Sequence, residues 1–225
     1  MEKRVFKDKV YTILANLIKA ISNPHRLEII DLLAQGEKKV EDISTETSIS
    51  VANASQHLQV LKSVNLVDIR REGNFIYYRL ANEEIYKCWM KLRDFGTKHV
   101  AEMDKVITDF RKKRNSLEAV EVDELLTRMQ SKKVVLLDVR SAEEFKSGRI
   151  PGAKNIPIDQ LEEELDKLSK NKEYIAYCRG SFCVFADEAI NLLKKKGYRA
   201  KRLEQGFADW KFKGMPVEWT IENQG

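Results

Sequence analysis

The sequence predicts an α/β protein built from two unlike halves, a mainly α-helical half over residues 1–114 and an α/β half over residues 115–225. In the first half, apolar residues recur at helical spacing and one hairpin signal interrupts them. In the second half, apolar strand-like runs alternate with helical patterns, which is typical of a parallel sheet covered on both faces. The first half holds 21 Lys/Arg against 16 Asp/Glu, whereas the second holds 19 of each. This positive excess fits a polyanionic partner, although a merely basic surface explains it equally well.

The first helices are marked by their end signals. In "NPHRLEIIDLLAQGE", Asn23 is a suitable N-cap and Pro24 fits the first helical position, and Gly36 follows as a stop signal. A short helix is expected over 40–47. After a tight turn, Ser50 can cap a further helix that runs to about residue 63, with Ala54, Leu58 and Leu61 as its inward stripe.

A hairpin and a long helix complete the first half. The stretch "LVDIRREGNFIYYRL" contains two β-rich runs around Glu72-Gly73-Asn74, which indicates a hairpin. From Glu83 to Arg114 the helical pattern contains no proline and only one glycine, Gly96, so a single long helix is expected.

The second half alternates between strands and helices. An N-cap, Ser141, precedes the first of these helices. In chain order the predicted elements are a strand at 134–139, a helix at 142–147, strands at 174–178 and 200–204 separated by a helix at 184–196, and a last helix at 207–213.

Composition excludes several classes of protein. The longest aliphatic run is only Val134–Leu137, far shorter than a membrane span, and the N-terminus has no apolar segment suited to a signal peptide. Three cysteines, an odd number, suit a reducing compartment better than a disulfide framework. We therefore expect a cytoplasmic protein with no membrane contact.

Helix, tight turn, helix and hairpin form the layout of a winged helix-turn-helix, in which the second helix reads the major groove. Small residues at its start allow close approach, and outward amides and hydroxyls can read base edges. Arginines on the hairpin would meet phosphates or a minor groove. The alternative is an ordinary solvated helix face. The candidate DNA-binding residues are Val51, Ala52, Asn53, Ser55, Gln56, His57, Gln59, Lys62, Arg70, Arg71 and Arg79.

Residues 10–110 resemble the arsenic-repressor (ArsR/SmtB) family of dimeric regulators. The resemblance rests on the NPxR opening of the second helix, the "SVANASQHL" recognition helix and the "REGNFIYY" wing. It implies a homodimer formed through the first helix and the fifth helix, the long one after Glu83. Such a dimer would place two recognition helices on a near-palindromic operator in double-stranded DNA.

The metal ligands of that family are missing here. Arsenic-type members carry two thiolates before the turn, where this chain has Lys39 and Glu41, and a lysine cannot replace a soft thiolate ligand. A second family site uses Asp and His pairs on the C-terminal helix. Asp94 and His99 are five positions apart and so do not share a helical face. We expect no metal site and no cofactor.

Cys178 follows a buried strand and precedes a helix that starts near Val184. A thiol at that junction faces free N–H groups and the positive end of the helix dipole, and Arg179 adds a positive charge. These effects predict a low pKa and make Cys178 the most acidic of the three thiols. The alternative is a buried, inert cysteine.

Residues 118–220 resemble the rhodanese domain, through "LLDVRSAEEFKSGRIPGAKNIP" and "AYCRG…LEQGFADWKFKGMPVE". The resemblance implies that Cys178 is a nucleophile that takes sulfane sulfur from a small donor, becomes a persulfide and passes the sulfur to an acceptor thiol. It also implies that Asp138 and Arg140 brace the site.

Three departures from the rhodanese pattern bear on the expectation that Cys178 transfers sulfur. The loop reads Cys178-Arg-Gly-Ser-Phe-Cys183 where a second basic residue is usual, the spacing to the Leu192-Leu193 pair is about two residues longer, and Arg149 replaces a histidine. The first two weaken the expectation of efficient thiosulfate turnover. Val184 occupies the position at which a related phosphatase would need arginine.

Cys183 can be a resolving thiol that attacks a persulfide on Cys178, or a packing residue. Cys88, on the long helix, is expected in the core, with sulfur acceptance as the alternative. The leading hypothesis is a cytoplasmic, dimeric repressor that responds to sulfur or redox state at Cys178. The alternatives are a sulfurtransferase whose DNA domain tethers it, or an inactive rhodanese fold that docks a partner.

Overall fold

The structure is a computed structural model that describes residues 2–129 and 134–220. The chain divides into two compact units, Met1–Trp89 and Met90–Gly225. This division lies 25 residues before the boundary predicted from the sequence. None of the helices in the described ranges is long and apolar enough to span a bilayer.

The first unit is helical with a small antiparallel sheet. Its elements are α1 (Lys3–Ile21), α2 (Pro24–Leu33), β1 (Lys38–Lys39), α3 (Val40–Thr47), α4 (Val51–Ser63), β2 (Val67–Glu72), β3 (Phe75–Leu80) and the first part of α5 (Glu83–His99). The sheet order is β1-β3-β2.

The predicted end signals of the first unit are confirmed. The Arg26 backbone N–H donates to Asn23 Oδ1 at 3.3 Å, and Pro24 is the first residue of α2. The Asn53 N–H donates to Ser50 Oγ at 3.2 Å and so starts α4. Glu72 pairs with Phe75, which leaves Gly73 and Asn74 as the hairpin turn. Gly73 has φ +56°, a conformation that costs glycine little.

The prediction of one helix from Glu83 to Arg114 is wrong. Val100 has an extended backbone (φ −107°, ψ 98°), which separates α5 from α6 (Ala101–Lys113). A Cβ on Gly96 would lie 3.0 Å from Met103 Sδ, so the missing side chain lets the start of α6 pack closely on α5. Gly96 permits this contact and is not itself the break.

The second unit contains an α/β layer. After α6 come β4 (Ala119–Val120), α7 (Val122–Met129), β5 (Val134–Asp138), α8 (Ala142–Lys146), β6 (Lys154–Asn155), α9 (Leu161–Glu164), a 3-10 turn (Leu165–Lys167), β7 (Glu173–Tyr177), α10 (Phe185–Lys195), β8 (Arg199–Leu203) and α11 (Phe207–Phe212). The described strands form a parallel sheet in the order β4-β8-β7-β5-β6.

The parallel sheet confirms the predicted α/β fold class. Apolar clusters cover both of its faces, one centred on Ile190 and Leu193 of α10 and the other on Phe207 and Trp210 of α11. The predicted N-cap is confirmed too, because the Glu144 N–H donates to Ser141 Oγ at 3.3 Å. Strands β4 and β6 were missed, since each has only two residues. The carboxyl ends of β5 and β7 are side by side, with Asp138 opposite Tyr177, and Cys178 follows directly.

Candidate functional site

Helix α4 presents most of its predicted DNA-binding residues to solvent. The apolar stripe of Ala54, Leu58 and Leu61 is fully buried. The opposite face exposes Gln56 and Gln59, and the N-terminal end exposes the small and polar residues predicted there. Among the predicted residues of α4, the exposed ones are Val51, Ala52, Asn53, Gln56 and Gln59, and the half-buried ones are Ser55, His57 and Lys62.

The three wing arginines differ in their partners. Arg70 forms ion pairs with Glu37 and Glu72, and these hydrogen bonds raise its pKa. Arg79 Nη2 lies 3.1 Å from Asp68 Oδ2. Arg71 is exposed and forms no ion pair with any residue in the described ranges. Arg71 can therefore meet a phosphate directly, whereas the other two must first exchange a carboxylate.

His57 lies beside a second histidine. Its ring centre is 5.5 Å from that of His25. Burial lowers the pKa of His57, and the charges of Arg26 and His25 lower it further. This favours the neutral imidazole, which suits packing better than a charge-based phosphate contact.

The positions checked for metal ligands are engaged otherwise. Lys39 is the N-cap residue of α3, and its Nζ lies 3.8 Å from the ring centre of Phe75. Asp94 accepts from Arg93 at 2.9 Å, and the His99 ring packs 4.6 Å from that of Phe95. Within residues 2–129 and 134–220, no group of three or more His, Cys, Asp or Glu side chains is placed to hold a metal.

Cys178 lies in the loop between β7 and α10, and its side chain is 3% exposed. Its Sγ donates to the Cys183 carbonyl at 3.2 Å and lies within hydrogen-bonding reach of the Cys183 side chain. The backbone N–H of Ala186, in the first turn of α10, donates back to the Cys178 sulfur. The helix N-terminus thus faces the thiol as expected.

The expected order of thiol acidity is nevertheless wrong. Burial raises the pKa of Cys178 well above its ordinary value, and the hydrogen bond to Cys183 raises it further. Burial acts the same way on Cys183, but hydrogen bonds from Cys178 and from the Phe185 and Arg179 N–H groups outweigh it and lower the pKa of Cys183. Of the two thiols, Cys183 is therefore the one that ionises more readily. The prediction from the sequence included the effect of the helix dipole on the pKa of Cys178 and left out the effect of burial.

Arg179 does not point its charge at Cys178. Its guanidinium donates to both carboxylate oxygens of Glu144, at 2.7 and 3.0 Å. Glu144 is itself buried at the start of α8. The charge of Arg179 helps to lower the pKa of Cys183 instead.

Asp138 and Arg140 are fully buried and bonded to each other, which is the arrangement that the bracing role requires. Arg140 Nη2 lies 2.6 Å from Asp138 Oδ2 and donates to the Gly148 carbonyl at 2.8 Å. The Tyr177 hydroxyl also donates to Asp138, at 2.6 Å. The guanidinium lies 4.0 Å from the ring centre of Phe207, whose N–H donates to the Cys178 carbonyl at 2.8 Å.

Two arginines on helices outside the sheet layer hold the Cys178 loop, and sequence reasoning missed both. Arg111 of α6 donates to the Ser181 carbonyl at 3.0 Å. Arg93 of α5 forms a buried ion pair with Asp209 at 2.9 Å, and Asp209 in turn accepts from the Ser181 hydroxyl at 3.2 Å. The one sign of this in the sequence is that the loop lacks a second basic residue, so that positive charge near Cys178 has to come from another part of the chain.

Arg111 and Cys178 line one small, partly open pocket. Asp187 and Glu204 contribute carboxylates to the pocket, and Arg202 contributes a second guanidinium. Asp187 is buried and accepts from the Ser116 hydroxyl at 2.6 Å. The pocket is therefore lined by charged side chains together with a thiol.

The remaining cysteines occupy different surroundings. Cys88 is exposed on α5, so the expectation that it lies in the core is wrong for this chain. Cys183 is half-buried and packs against the apolar cluster below α10. Arg149, which replaces a histidine, forms a 3.4 Å ion pair with Glu218 and has no place in the pocket.

Two family models match this chain. Residues 23–68 match "Bacterial regulatory protein, arsR family" and residues 121–213 match "Rhodanese-like domain". The boundary predicted between 114 and 115 falls in the segment that neither match covers, and it stays a prediction.

Relatives resemble the chain over its whole length and over each half. The HTH-type transcriptional regulator Rv0324 of Mycobacterium tuberculosis is 40% identical over 91% of this chain and 89% of its own. The homodimeric winged helix-turn-helix domain of Mb0332 from Mycobacterium bovis is 40% identical, with TM-score 0.41, over 44% of this chain and 91% of that one. A rhodanese-related protein from Thermoplasma volcanium is 28% identical, with TM-score 0.41, over 45% and 97%. The chain belongs to the ArsR family of HTH-type transcriptional regulators and carries a rhodanese-like domain after its DNA-binding fold.

Proposed function

We propose that this regulator is a homodimeric, cytoplasmic repressor whose operator affinity responds to sulfane sulfur bound at Cys178. The observation that carries the proposal is the position of Arg93 and Arg111. Both lie on the helices that follow the DNA-binding elements, and both hold the loop of the reactive thiol. A change in that loop therefore acts on α5 and α6 directly.

Operator binding would use the exposed face of α4 and the wing. Gln56 and Gln59 can each make paired hydrogen bonds to adenine in the major groove, and Asn53 lies at the end that enters the groove first. Arg71 supplies a phosphate contact without breaking an ion pair. Arg70 and Arg79 add contacts that release Glu37 and Asp68. Binding should therefore weaken steeply as salt rises.

Dimerisation would bury an apolar face of α1. A single chain exposes more large apolar side chains there than a solvated helix needs, and such a patch marks an interface. Leu92 and Phe95 on α5 are exposed as well, in keeping with a second contribution from the fifth helix. The exposed residues of α1 are Val5, Phe6, Val10, Tyr11, Ile13, Leu14, Leu17 and Ile18.

The first chemical step is sulfur uptake by Cys178. The Cys183 thiolate accepts the Cys178 proton along their hydrogen bond, which leaves a thiolate on Cys178. That thiolate attacks the sulfane sulfur of a donor such as thiosulfate, and the S–S bond of the donor breaks. Sulfite leaves with the bonding electron pair, and Cys178 carries a persulfide anion.

The second step uses Cys183 as the resolving thiol. Its sulfur attacks the inner sulfur of the persulfide, a Cys178–Cys183 disulfide forms, and the outer sulfur leaves with the Cys183 proton as hydrosulfide. An acceptor thiol could take the sulfur instead. Closure of the disulfide breaks the hydrogen bond from the Cys178 thiol to the Cys183 carbonyl and moves the loop that carries Ser181. The contacts of Ser181 with Arg111 and Asp209 must then change.

The proposal is tested by operator binding of the full-length protein before and after treatment with polysulfide. We expect treatment to shift the affinity of the wild type and to leave Cys178→Ser unchanged. Mass spectrometry of Cys183→Ser should show a trapped persulfide on Cys178. Catalytic sulfur transfer without any change in operator affinity would favour a DNA-tethered sulfurtransferase and would refute the sensor.

A further inference from the structure

We propose that Arg111 of α6 binds the anionic head of the sulfane-sulfur donor at Cys178 and so replaces the basic residue that the loop lacks. The inference rests on the proposed sulfur chemistry and adds to it the residue that recognises the anionic donor. It also assigns donor recognition to a helix outside the rhodanese-like region matched at residues 121–213.

The loop itself offers no free cation to such a donor. Arg179 is fixed on Glu144 through two hydrogen bonds. The position where a second basic residue is usual is occupied by Cys183, whose thiol supplies no positive charge. An anion that approaches Cys178 therefore needs a cation from another part of the chain.

Arg111 has the geometry for that role. Its Nη2 donates to the Ser181 carbonyl at 3.0 Å, which holds the guanidinium over the loop. Its Nε lies 3.7 Å from Asp187 Oδ1 and its Nη1 lies 3.9 Å from Glu204 Oε1, both beyond hydrogen-bond distance. Both groups can therefore donate to oxygens of a ligand in the pocket that they share with Cys178.

Arg202, the second arginine of the pocket, already donates hydrogen bonds to protein acceptors from Nε, Nη1 and Nη2. Its Nε donates to the Ser116 carbonyl at 3.2 Å, and its Nη1 reaches the Leu203 carbonyl at 3.5 Å. Its Nη2 is bonded to the Glu204 carboxylate. Arg202 therefore adds positive potential, while Arg111 keeps donors available for a ligand.

The two carboxylates of the pocket do not occupy the hydrogen-bond donors of Arg111. Asp187 is held by the Ser116 hydroxyl at 2.6 Å, away from hydrogen-bond distance to Arg111. The Glu204 side chain is 36% exposed and is paired with Arg202. An oxoanion that bonds to Arg111 replaces two long charge contacts with short, charge-assisted hydrogen bonds. The sulfane end of the donor can then point towards the Cys178 sulfur.

The test compares two donors on full-length Arg111→Gln, with Lys112→Gln as the matched control. Lys112 is exposed on the same helix, and its substitution removes the same charge. Thiosulfate is the anionic donor, and dimethyl trisulfide is a neutral reagent that also modifies a thiolate. The rate at which Cys178 is modified, as a persulfide, a mixed disulfide or the Cys178–Cys183 disulfide, is measured by mass spectrometry against the concentration of each reagent.

We expect Arg111→Gln to raise the thiosulfate concentration at half-maximal rate about tenfold, the usual weight of a charge-assisted hydrogen bond. The reaction with dimethyl trisulfide should stay unchanged, and Lys112→Gln should alter neither. An unchanged thiosulfate dependence in Arg111→Gln overturns the inference, as does an equal loss with both reagents, which would reveal a structural role. Reaction of the wild type with the neutral reagent alone also overturns it. A wild type inert to both reagents refutes the sulfur chemistry itself.

Discussion

The predicted DNA-binding surface of α4 and the wing differs from the Cys178 pocket in how it is built. One continuous stretch of chain supplies that surface, its predicted contact residues are exposed or half-buried, and its ion pairs can exchange partners with a phosphate. The pocket gathers residues from α6, α10, β8 and the loops that follow β7 and β8, and it buries Asp187 and Arg202. Exposed charged side chains are therefore available to bind a partner, whereas buried charged side chains hold a loop in position.

The sharpest contrast between the two regions is the cost of removing one carboxylate. Asp138→Ala leaves the buried Arg140 without its main partner, so we expect a loss of about 3–5 kcal/mol in the free energy of unfolding. Asp68→Ala removes an exposed partner of Arg79 and should leave stability nearly unchanged. Urea unfolding of both variants measures the difference. Equal effects would show that burial does not separate the two regions.

On the DNA-facing surface, base contacts and phosphate contacts should separate. Gln56→Ala should reduce discrimination between operator and unrelated DNA by about 1–3 kcal/mol, because a paired amide contact is lost. Arg71→Ala should weaken binding to all sequences alike and reduce the salt slope by about one unit. Titrations at several salt concentrations on operator and random DNA measure both. A uniform effect of Gln56→Ala would remove that residue from base reading.

In the pocket, the two thiols should titrate in opposite directions. Cys183 should ionise at lower pH than a free cysteine, because donors surround it, and Cys178 at higher pH, because it is buried. The folding stability contributed by the Cys183 thiolate is present above the unfolded pKa and lost as pH falls through the folded one. The contribution of the protonated Cys178 is present below the unfolded pKa and lost as pH rises through the folded one.

Alkylation of the wild type as a function of pH, with mass spectrometry to identify the modified thiol, measures this order. Removing Cys183 also removes the bond and charge that raise the pKa of Cys178, so Cys178 should ionise at lower pH in Cys183→Ser than in the wild type. If Cys178 ionises first in the wild type, the expected order of acidity of the two thiols is wrong.

The smallest expected effect is that of metals on the DNA complex. Lys39 and Glu41 stand where thiolate ligands would be needed, and Lys39 packs its ammonium group on Phe75. Stoichiometric zinc or arsenite should therefore leave operator affinity unchanged in a footprinting assay. Release of DNA by either ion would reveal a ligand set that the sequence does not show.

The fold could be predicted largely from local signals, because caps, apolar periodicity and the hairpin turn each depend on neighbouring residues. The prediction failed at Val100, where an extended backbone separates α5 from α6 although neither proline nor glycine stands at that position. The site could be predicted only in part. Cys178, Asp138 and Arg140 lie in recognisable segments, whereas Arg93 and Arg111 reach the loop through tertiary structure. The acidity of the thiols also depends on burial, which local sequence does not record.

The central claim is that the sulfur state of Cys178 sets operator affinity. The most direct measurement follows both quantities in the same samples of full-length protein, treated with increasing polysulfide. Mass spectrometry gives the modified fraction of Cys178, and footprinting gives the affinity. The account predicts that affinity changes in proportion to that fraction and returns after reduction, while Cys178→Ser stays constant. Unchanged affinity with Cys178 fully modified would contradict it.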